Sequence, residues 1–380
     1  MTEERKIRVC VVVASIDILG GQAVQALRLL DGLSREQEID AELLPINPRL
    51  PRPLRWLQRI KYVRTVVTSI LYIATLLLKL RRFDVVHVFS ASYMSFVLAP
   101  APAILIAKLY GKCVLLNYHS GEAEDHLRTW PRTSRPLIRM ADRLIVPSDY
   151  LVSVFAKFGF KAEHIANTVD LTRFKFRDRR SFAPVILSNR NLERHYNVGC
   201  SIRAFELIRK QVPKAQLIIA GDGSERRALQ SLADELVPGG VEFVGAITPQ
   251  TMPALYDRAD IFINASEIDN QPLSIIEAFA SGLPVVTTDA GGIPDMVAEA
   301  ETGFLVSCGD FKSLASRVIR LLRDNDLASD VAARARQECG RYSWAAVSGT
   351  WLNLYRELAS KREEPLTGGI KPIESTSPIT

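Results

Sequence analysis

Three features of the sequence predict an α/β fold with two doubly wound domains. Apolar, β-branched runs of strand length alternate with amphipathic segments of helix length through almost all of the 380 residues. This alternation is typical of parallel sheets that carry helices on both faces. The pattern occurs in each half of the chain, and a basic stretch without apolar periodicity separates the halves. A chain of this length is also long enough for two domains.

The first half carries five predicted strands, separated by helical segments such as residues 21–37 and 150–158. These strands are predicted at residues 8–14, 41–46, 84–89, 112–117 and 143–146. The second half repeats the arrangement with six strands, each followed by a stretch that is compatible with a helix. They are predicted at residues 184–187, 215–220, 241–244, 260–263, 284–288 and 304–306. The sequence therefore predicts two similar sheets.

The predicted boundary between the domains lies within residues 172–183. Five basic side chains between Arg173 and Arg180, with Arg190 nearby, accompany a break in the apolar periodicity, which is typical of a linker. The end of the chain is rich in Pro, Gly, Ser and Thr and has little to bury. The expected parts are an N-terminal domain (1–178), a C-terminal domain (179–345), a terminal helix that returns to the N-terminal domain (346–362) and a disordered tail (363–380).

Charge is distributed unevenly between the two halves. The chain has 48 Lys and Arg against 42 Asp and Glu, a formal net charge of +6. Residues 1–180 hold 28 basic and 17 acidic side chains, a net charge of +11, whereas residues 181–380 hold 20 and 25, a net charge of −5. A basic half favours an acidic surface or substrate, such as a lipid headgroup or a phosphate. Nucleic acid is not expected as a partner, because the chain shows no recognition motif and no pattern of stacking aromatic residues.

The five cysteines, Cys10, Cys113, Cys200, Cys308 and Cys339, are far apart in the sequence. They form no C-x-x-C pair and have no His at zinc-site spacing, so neither a disulfide framework nor a zinc finger is indicated. We therefore expect a reducing compartment, the cytosol. The apolar run at residues 9–14 is shorter than the apolar region of a signal peptide and is interpreted as a strand, so no export signal is expected.

A strongly basic segment precedes the third predicted strand. Residues 49–82 contain nine basic residues and no acidic one, and the fourteen residues 65–78 are uncharged, too few for a bilayer that needs about 20. A helix that starts after Pro53 would carry a basic and polar stripe at spacings of three and four residues, as in a basic amphipathic helix. The stripe consists of Arg55, Arg59, Tyr62, Thr65, Ser69, Tyr72, Lys79 and Arg82. The segment is interpreted either as a packing helix with a solvated basic face or as a contact with an anionic membrane surface.

The most specific stretch is NASEIDNQPLSIIEAFASG at residues 264–282. It ends a predicted strand, turns through polar residues and enters an apolar helix whose first turn suits Pro272. Unpaired amides and the positive end of the dipole favour a diphosphate at the helix start, near Leu273 and Ser274. Glu277 lies one turn inside, and helical side chains lean toward the N-terminus. Its carboxylate is placed to accept hydrogen bonds from ribose hydroxyls, although Glu277 alone is also explained as a charge that complements the helix dipole.

This stretch resembles the donor-site motif of the retaining glycosyltransferases of family 4, the glycosyl transferases group 1. The family motif is commonly Glu-x7-Glu followed by Ala-x-Ala-x-Gly-x-Pro-Val-Val, and this chain has Asp269-x7-Glu277 followed by AFASGLPVV. Residues 220–229, 241–245, 256–265 and 289–306 add to a resemblance that covers most of the chain. The resemblance implies a GT-B fold, in which two Rossmann-like domains face a central cleft. It also implies that Glu277 binds the ribose of a sugar nucleotide and that Asp269, one methylene shorter than the family's Glu, lies near the transferred sugar.

Cations are expected beside the leaving diphosphate, because the departing nucleotide develops charge that fixed donors must stabilise. The family uses an Arg and a Lys about five residues apart, whereas this chain offers Arg190 but no Lys. Arg194 or His195 is expected to replace the Lys, unless Arg194 is a solvated loop charge. Gly221 belongs to a GDG turn after a strand, which is not the dinucleotide fingerprint, so an NAD enzyme is not expected.

In the first half, Gly20 and Gly21 follow the first strand and open a helix, as in the family's Gly-Gly loop. A residue without a side chain lets backbone amides approach a phosphate or an acceptor, although a plain tight turn has the same sequence. His119 ends a strand where the family frequently has a His that faces the transferred sugar. Glu122 and His126 either extend the acceptor site or are solvated loop residues.

The resemblance therefore implies a retaining glycosyltransferase. The expected catalytic residues are His119, Asp269 and Glu277, and the expected donor-binding residues are Gly20, Gly21, Arg190, Arg194, Gly221, Asn270, Gln271, Pro272, Leu273, Ser274 and Glu277. The donor is expected to be a UDP- or GDP-sugar and the acceptor a glycan or lipid-linked hydroxyl in cell-envelope synthesis, at the cytoplasmic face of the membrane. No metal or other cofactor is expected, since no D-x-D pair is placed to bind one. A sugar-nucleotide epimerase and a catalytically silent sugar-nucleotide-binding protein remain as alternatives.

Overall fold

The computed structural model describes residues 5–14, 21–50, 52–60 and 62–363, which form two six-stranded parallel sheets with helices around them. Gly20 and residues 364–380 of the predicted tail lie outside the described residues. The first sheet has the strand order β2-β1-β3-β4-β5-β6. Its strands are β1 (Ile7–Val13), β2 (Ile39–Pro45), β3 (Val85–Ser90), β4 (Cys113–Tyr118), β5 (Arg143–Val146) and β6 (Glu163–His164).

Among the described residues, seven α-helices belong to the first half of the chain. They are α1 (Gly21–Leu33), α2 (Val63–Lys79), α3 (Tyr93–Leu98), α4 (Pro100–Leu109), α5 (Ala123–Thr129), α6 (Pro131–Arg139) and α7 (Asp149–Lys157), with 3-10 helices at Arg52–Arg59 and Leu80–Arg82. Ser148 caps α7 with its hydroxyl, which accepts a hydrogen bond from the Leu151 amide. Helices α1, α3, α5 and α7 each come next in the chain after a strand, as expected for a doubly wound sheet.

The second sheet has the order β12-β11-β10-β7-β8-β9. Its strands are β7 (Val185–Asn189), β8 (Gln216–Ala220), β9 (Val241–Gly245), β10 (Ile261–Asn264), β11 (Val285–Thr288) and β12 (Phe304–Val306). The helices are α8 (Val198–Gln211), α9 (Arg226–Leu236), α10 (Met252–Asp257), α11 (Leu273–Ser281), α12 (Phe311–Arg323), α13 (Asn325–Glu338) and α14 (Trp344–Glu363), with 3-10 helices at Arg194–Tyr196, Ile293–Asp295 and Cys339–Tyr342.

The predicted α/β class is confirmed, and all eleven predicted strands are present within two residues of their predicted ends. β6 was not predicted, because it consists of two exposed residues that carry no periodic signal. Apolar clusters cover both faces of each sheet, with near-continuous burial along central strands such as β3 and β4. This burial explains why these strands read as apolar runs rather than as alternating patterns.

Helix α14 packs on the first sheet although it follows the second sheet in the chain. Trp351, Leu354 and Leu358 lie in the same apolar cluster as β1. The Tyr355 hydroxyl lies 2.7 Å from the buried His87 Nδ1 on β3. The predicted limits of the domains stay a prediction, since they depend on where the linkers bend.

The predicted linker at residues 172–183 is fixed to the second sheet by a buried arginine. Arg179 donates to the Asp260 carboxylate at 2.8 Å and to the carbonyl oxygens of Ser281 and Gly282 at 2.8 and 2.9 Å. Burial lowers the pKa of Arg179 to about 10, which leaves the guanidinium charged at neutral pH. The basic linker predicted from the sequence is therefore a structural anchor at this position and not a solvated charge cluster.

The prediction of one basic amphipathic helix after Pro53 was wrong. A 3-10 helix at Arg52–Arg59 precedes α2, and Tyr62 adopts φ 69° at the start of α2. Tyr72, which the stripe placed outside, is buried and donates to the Ala99 carbonyl at 2.9 Å. Lys79 and Arg82 pair with Glu42, so these two cations are already neutralised. Tertiary packing thus selected a different face of the helix from the one that the charges suggested.

Candidate active site

A cavity of about 790 Å³ lies between the two sheets, which is in the range of ligand sites. Both halves of the chain line it at the carboxyl ends of their strands, where doubly wound folds bind ligands. The predicted residues that line it are Gly21, His119, Arg190, Gly221, Asp269, Asn270, Gln271, Pro272, Leu273, Ser274 and Glu277. Arg194 is exposed and does not line the cavity, whereas His195 does. Among the described residues, Arg194 is thus the one predicted donor-binding residue that the fold leaves outside the cavity.

Helix α11 starts at the cavity wall. Pro272 is the residue before its first turn, with φ −65° and ψ 119°, one position earlier than predicted. Proline has no N–H to leave unpaired there, and the next amides, at Leu273 and Ser274, have no acceptor inside the helix. The N-terminal end of α11 therefore presents N–H groups and a positive dipole at the cavity. Such an arrangement can hold a phosphate or another anion.

The Glu277 carboxylate is buried at the base of the cavity and has two fixed partners. Arg28 Nη2 donates to Oε1 at 3.1 Å, and the Tyr256 hydroxyl lies 3.2 Å from Oε2. Burial raises the pKa of Glu277, and Arg28 and Tyr256 offset part of the rise. Asn189 donates to the Tyr256 hydroxyl at 3.1 Å and holds that ring in place. A carboxylate oxygen can accept more than one hydrogen bond, so Glu277 keeps acceptor capacity for a ligand.

Arg28 reaches the predicted donor site from the other half of the chain. The sequence prediction did not include it. Arg28 also donates to the Thr168 carbonyl at 2.7 Å, and Gln25 exchanges two hydrogen bonds of 2.8 and 2.9 Å with the backbone of Thr168. Gln22, Gln25 and Arg28 recur at every third position of α1. This polar stripe on a mostly apolar helix was the available signal.

Arg190 and Asp269, predicted at the diphosphate and at the sugar, form an ion pair with each other. The Arg190 guanidinium also lies over the Tyr196 ring, 4.2 Å from its centroid, and 3.4 Å from Ser274 Oγ. Burial lowers the pKa of Arg190, but Asp269 and Tyr196 outweigh it and leave the pKa raised. The guanidinium is therefore charged and held in position against the start of α11.

Gly221 lines the cavity at a position where the backbone conformation requires glycine. It adopts φ 131°, and a Cβ there would lie 2.0 Å from the Arg190 carbonyl oxygen. Any side chain would push away the strand end that carries Arg190, and residues other than glycine rarely adopt this φ. At Gly21, by contrast, a Cβ would meet no atom of the described residues within 4 Å. Open space beside Gly21 therefore belongs to the cavity.

His119 directly follows β4, at the seam between the halves. Its ring stacks on Phe89 at 5.1 Å, and its carbonyl accepts a hydrogen bond from Asn270 Nδ2 at 3.0 Å. Burial lowers the pKa of His119 to about 4, so the ring is neutral at physiological pH. Among the described residues, His119 Nε2, Arg190 Nε and Asn270 Oδ1 are buried without a hydrogen-bond partner. Three such atoms around one cavity indicate a site that a polar ligand completes.

The two predicted acceptor-side residues differ in position. Glu122 lines the cavity, whereas His126 is fully buried behind the wall. Burial lowers the pKa of His126 to about 4. Neither is a solvated loop residue, because Glu122 is part of the cavity wall and His126 is in the core of the first half.

The two halves touch directly beside the cavity. The Asn167 amide donates to Gln271 Oε1 at 2.5 Å, and Asn167 Nδ2 donates to the Gln271 carbonyl at 3.3 Å. A Cβ at Gly121 would lie 2.9 Å from Ile268 Cγ2. In the described part of the chain, no three His, Cys, Asp or Glu side chains come together as a metal site. The predicted independence from metal stays a prediction.

Two family models match consecutive parts of this chain. The model of the glycosyl transferases group 1 matches residues 172–338, and the model of glycosyltransferase family 4 matches residues 19–173. The chain belongs to the glycosyltransferases of family 4, the glycosyl transferases group 1. The family resemblance that the donor motif predicted is thereby confirmed.

Curated relatives carry the names of glycosyltransferases. A sulfoquinovosyl transferase of Arabidopsis thaliana is 27% identical over 311 residues, which are 76% of this chain and 59% of the relative. A D-inositol 3-phosphate glycosyltransferase of Corynebacterium urealyticum is 35% identical over 147 residues, 38% of this chain and 35% of the relative. The chain therefore spans about 59% and 35% of the length of these two relatives.

Solved structures share the fold. HepE of Anabaena, in complex with UDP-glucose, superposes with a TM-score of 0.72 at 17% identity and covers 92% of this chain and 100% of its own. Sucrose-phosphate synthase of Thermosynechococcus elongatus gives a TM-score of 0.77 at 19% identity over 94% of this chain and 100% of its own. These likenesses establish the GT-B arrangement of two Rossmann-like domains that the resemblance implied.

Proposed function

We propose that this protein is a retaining glycosyltransferase that moves a sugar from a UDP- or GDP-sugar to a hydroxyl of an acceptor. The observation that carries the proposal is one cavity that joins the start of α11, the Arg190–Asp269 pair and the buried Glu277. These groups offer a positive end for a diphosphate and carboxylates for hydroxyls within one cavity. Family membership and relatives that are named glycosyltransferases support the same activity.

Each predicted site residue that lines the cavity has a role in the proposal. The Leu273 and Ser274 amides and Arg190 bind the diphosphate, with the backbone kept in place by Gly221. Glu277 accepts hydrogen bonds from the ribose. Asp269 and the neutral His119 contact the transferred sugar. Gly21 leaves room for phosphate or acceptor, and the loop residues Asn270, Gln271 and Pro272 shape the donor site.

The family resemblance supports transfer on one face of the sugar. The bond from the sugar C1 to the diphosphate oxygen breaks, and a bond from C1 to the acceptor oxygen forms on the same face. The leaving phosphate oxygen takes the acceptor proton, so no protein base is assigned. In the proposal, the cleft between the two halves keeps water from this step once both substrates are bound. Arg190 and the start of α11 stabilise the charge of the leaving diphosphate.

Thermal stability with a panel of UDP-glucose, UDP-galactose, UDP-N-acetylglucosamine and GDP-mannose tests the donor site. A donor at 100 times its Kd raises stability by about 2.7 kcal/mol. The stabilising donor is then used for kinetics with Glu277→Ala, which we expect to lower kcat/KM about tenfold or more, equivalent to about 1.4 kcal/mol. Exposed Glu267, two residues before Asp269 and outside the cavity lining, gives the matched control Glu267→Ala.

Three outcomes contradict the proposal. Unchanged kinetics in Glu277→Ala would remove Glu277 from the site. An epimerised sugar nucleotide without any acceptor would select an epimerase. Donor binding with neither transfer nor hydrolysis would select a catalytically silent binding protein, an alternative that Asp269 in place of Glu and the missing Lys keep open.

We also propose that the first half contacts an anionic membrane surface and takes its acceptor from there. An apolar stripe on α2 faces outward: Val63, Val66, Ile70, Ile73 and Leu77 are exposed and recur at spacings of three and four residues. The helical stretch Val63–Arg82 is long and apolar enough to cross a membrane by length and composition, with 17% of its most apolar window buried. Tyr72 and Leu76 are buried against the first sheet, which favours a helix that lies on the surface.

Charge and position support this membrane face. Exposed Arg55, Arg64 and Arg81 flank the stripe, and no acidic residue lies between 49 and 82. Basic residues beside an apolar stripe favour anionic headgroups. Met94, more than half exposed, lines the cavity at the start of α3, which brings apolar surface to the mouth of the site. A lipid-linked acceptor at the cytoplasmic face of the membrane fits this arrangement.

Flotation with vesicles of phosphatidylglycerol and phosphatidylethanolamine tests the membrane face. We expect wild type to float, Val66→Ser/Ile70→Ser to stay in the soluble fraction at any salt concentration, and Arg55→Gln/Arg64→Gln to lose binding as salt is raised. Lys79→Gln is the matched charge control, because Lys79 already pairs with Glu42. Wild type that remains soluble with these vesicles contradicts the membrane proposal and leaves the transferase proposal untouched.

A further inference from the structure

Ser92 lies in the part of the cavity wall that the first half forms, and its hydroxyl bonds to another side chain instead of capping a helix. It is the residue before α3, a position where serine normally caps the helix, but its side chain makes no capping bond. Its Oγ instead lies 2.8 Å from the hydroxyl of Tyr118. Ser92 is 7% exposed and lines the cavity. The hydroxyl is therefore held by Tyr118 in a residue that borders the cavity.

A buried chain of hydrogen bonds continues behind Ser92. The Tyr118 hydroxyl lies 2.8 Å from His126 Nδ1, and both residues are fully buried. Phe96 and Trp130 surround the His126 ring at 5.2 and 6.5 Å. Burial lowers the pKa of His126 to about 4 and raises the pKa of Tyr118, so both groups are neutral at physiological pH. A neutral chain of this kind orients a hydroxyl without supplying charge.

The backbone on this wall is also constrained. Tyr93, directly after Ser92, adopts φ 56°, which is rare for a residue with a side chain. Its hydroxyl donates to Asp125 Oδ2 at 2.7 Å. Ser90 accepts the His119 amide at 3.3 Å, which ties the Ser92 segment to the strand end that carries His119. Conformational strain of this sort persists where the surrounding structure fixes it, often at ligand sites.

The chemistry of the wall restricts what binds there. A serine oxygen has one hydrogen to donate and two lone pairs, and the Tyr118 hydroxyl engages only one of these positions. Between Ala91 and Glu122, the residues that line the cavity include the acidic Glu122 and no Lys or Arg. An anionic group is disfavoured beside Glu122. A neutral alcohol, which can both donate and accept, matches Ser92.

We propose that Ser92 is an acceptor-docking residue, which binds a hydroxyl of a neutral sugar or polyol acceptor. Tyr118 and His126 are positioning residues that orient its hydroxyl. This inference rests on the proposed transferase function and adds to it a subsite on the wall of the first half. It also gives the buried His126 a role that does not require contact with the acceptor.

The test measures how much of the donor's sugar is transferred to glycerol and how much to water. The donor from the panel that is turned over is supplied with glycerol as the alcohol probe, and the products glycosyl glycerol and free sugar are quantified. One hydrogen bond contributes about 1 kcal/mol, so we expect Ser92→Ala to lower the ratio of glycosyl glycerol to free sugar about fivefold. Ser92→Thr keeps the hydroxyl and restores most of the ratio. Tyr118→Phe lowers the ratio less than Ser92→Ala, because the serine hydroxyl remains but is no longer held.

Ser95→Ala is the matched control. Ser95 lies on the same wall but is exposed, and we expect the ratio to stay within about twofold. A folded Ser92→Ala protein with an unchanged ratio, or an equal fall in Ser95→Ala, overturns the inference. Wild type that releases sugar to water but never to glycerol overturns it too and leaves the transferase proposal in place. Wild type that binds no sugar nucleotide overturns both.

Discussion

Glu277 shows how the charge of one residue depends on a residue far away in the chain. A carboxylate at this depth is costly unless it is paired. Arg28 supplies the charge from 249 positions away, and Tyr256 supplies a second hydrogen bond. The pair is nearly buried, with side chains 15% and 9% exposed. The predicted ribose-binding residue is therefore also a link between the two halves.

Removing Arg28 is expected to destabilise the protein in a pH-dependent way. Arg28→Ala leaves a buried carboxylate without its counter-charge, which costs about 3 kcal/mol in the free energy of unfolding near pH 8. The pKa of Glu277 is raised by burial and rises further without Arg28. The folded protein then holds a proton that the unfolded chain has lost, so stability falls as pH rises from the ordinary value of 4.5 through the folded pKa. Urea denaturation at pH 5 and pH 8 measures this loss.

The double variant Arg28→Ala/Glu277→Gln is the control for that experiment. Its amide carries no charge, so the extra pH dependence of Arg28→Ala disappears. An equal loss of stability at both pH values in Arg28→Ala would show that the ion pair does not account for the role of Arg28.

Gly21 separates an effect on folding from an effect on ligand binding. Because a Cβ at this position meets none of the described residues within 4 Å, Gly21→Ala is expected to leave the melting temperature unchanged or slightly raised. The added methyl occupies cavity space, and we expect kcat/KM to fall about tenfold. Full activity in Gly21→Ala would mean that no ligand passes within reach of Gly21.

At the scale of elements, α14 packs on the first sheet, whereas the helices that precede it in the chain belong to the second half. Its residues Trp351, Leu354 and Leu358 join the apolar cluster of β1, and Trp344 covers Gly32 of α1. A Cβ at Gly32 would lie 2.4 Å from the Trp344 ring. Helix α1 thus carries Arg28 on one side and contacts α14 on another.

Gly32→Ala is expected to loosen this contact. Although alanine favours the helix, the clash with Trp344 costs about 1 to 3 kcal/mol. Gly349→Ala within α14 is the matched control, because its Cβ would meet nothing within 4 Å and should stabilise the helix by up to about 1 kcal/mol. Thermal denaturation of the two variants measures both effects. Equal stabilisation by both substitutions would show that Trp344 moves aside freely.

Helix α2 shows how far a pattern of charges can mislead. The sequence placed polar residues on an outer stripe, whereas the structure turns an apolar stripe outward and buries Tyr72. The reason is a tertiary contact, since the Tyr72 hydroxyl finds the Ala99 carbonyl and Lys79 and Arg82 find Glu42. Periodicity gave the presence of the helix but not the face that packs.

At the scale of the whole molecule, the site exists only where the two sheets meet. His119 and Arg28 come from one half and Glu277, Asp269 and Arg190 from the other. The seam is close at Gly121, whose absent side chain leaves room for Ile268 and the Asp269 backbone. The geometry of the cavity therefore depends on how closely the halves approach.

Gly121→Val is expected to hold the halves apart. Its methyl groups press on Ile268 and on the Asp269 amide, at 2.9 and 3.4 Å from the Cβ position. We expect a larger radius of gyration by small-angle X-ray scattering and a fall in kcat/KM of about tenfold or more, since a displacement of about 1 Å has a large effect on catalysis. Gly340→Ala, where a Cβ meets nothing within 4 Å, is the control for shape and activity. An unchanged radius together with unchanged activity would contradict this account of the seam.

The sequence by itself determined the fold class, the positions of eleven strands and the donor motif around Asp269 and Glu277. These features depend on local periodicity and on motif spacing, which the chain carries within a few residues. Only the tertiary structure decided that Arg28 pairs with Glu277, that Arg190 pairs with Asp269 and that Arg194 lies outside. The Arg28–Glu277 pair depends on how the two sheets dock, and its residues lie 249 positions apart. The Arg190–Asp269 pair depends on β7 and β10 lying side by side within the second sheet, 79 positions apart in the chain. Neither contact is recorded in a local pattern of the sequence.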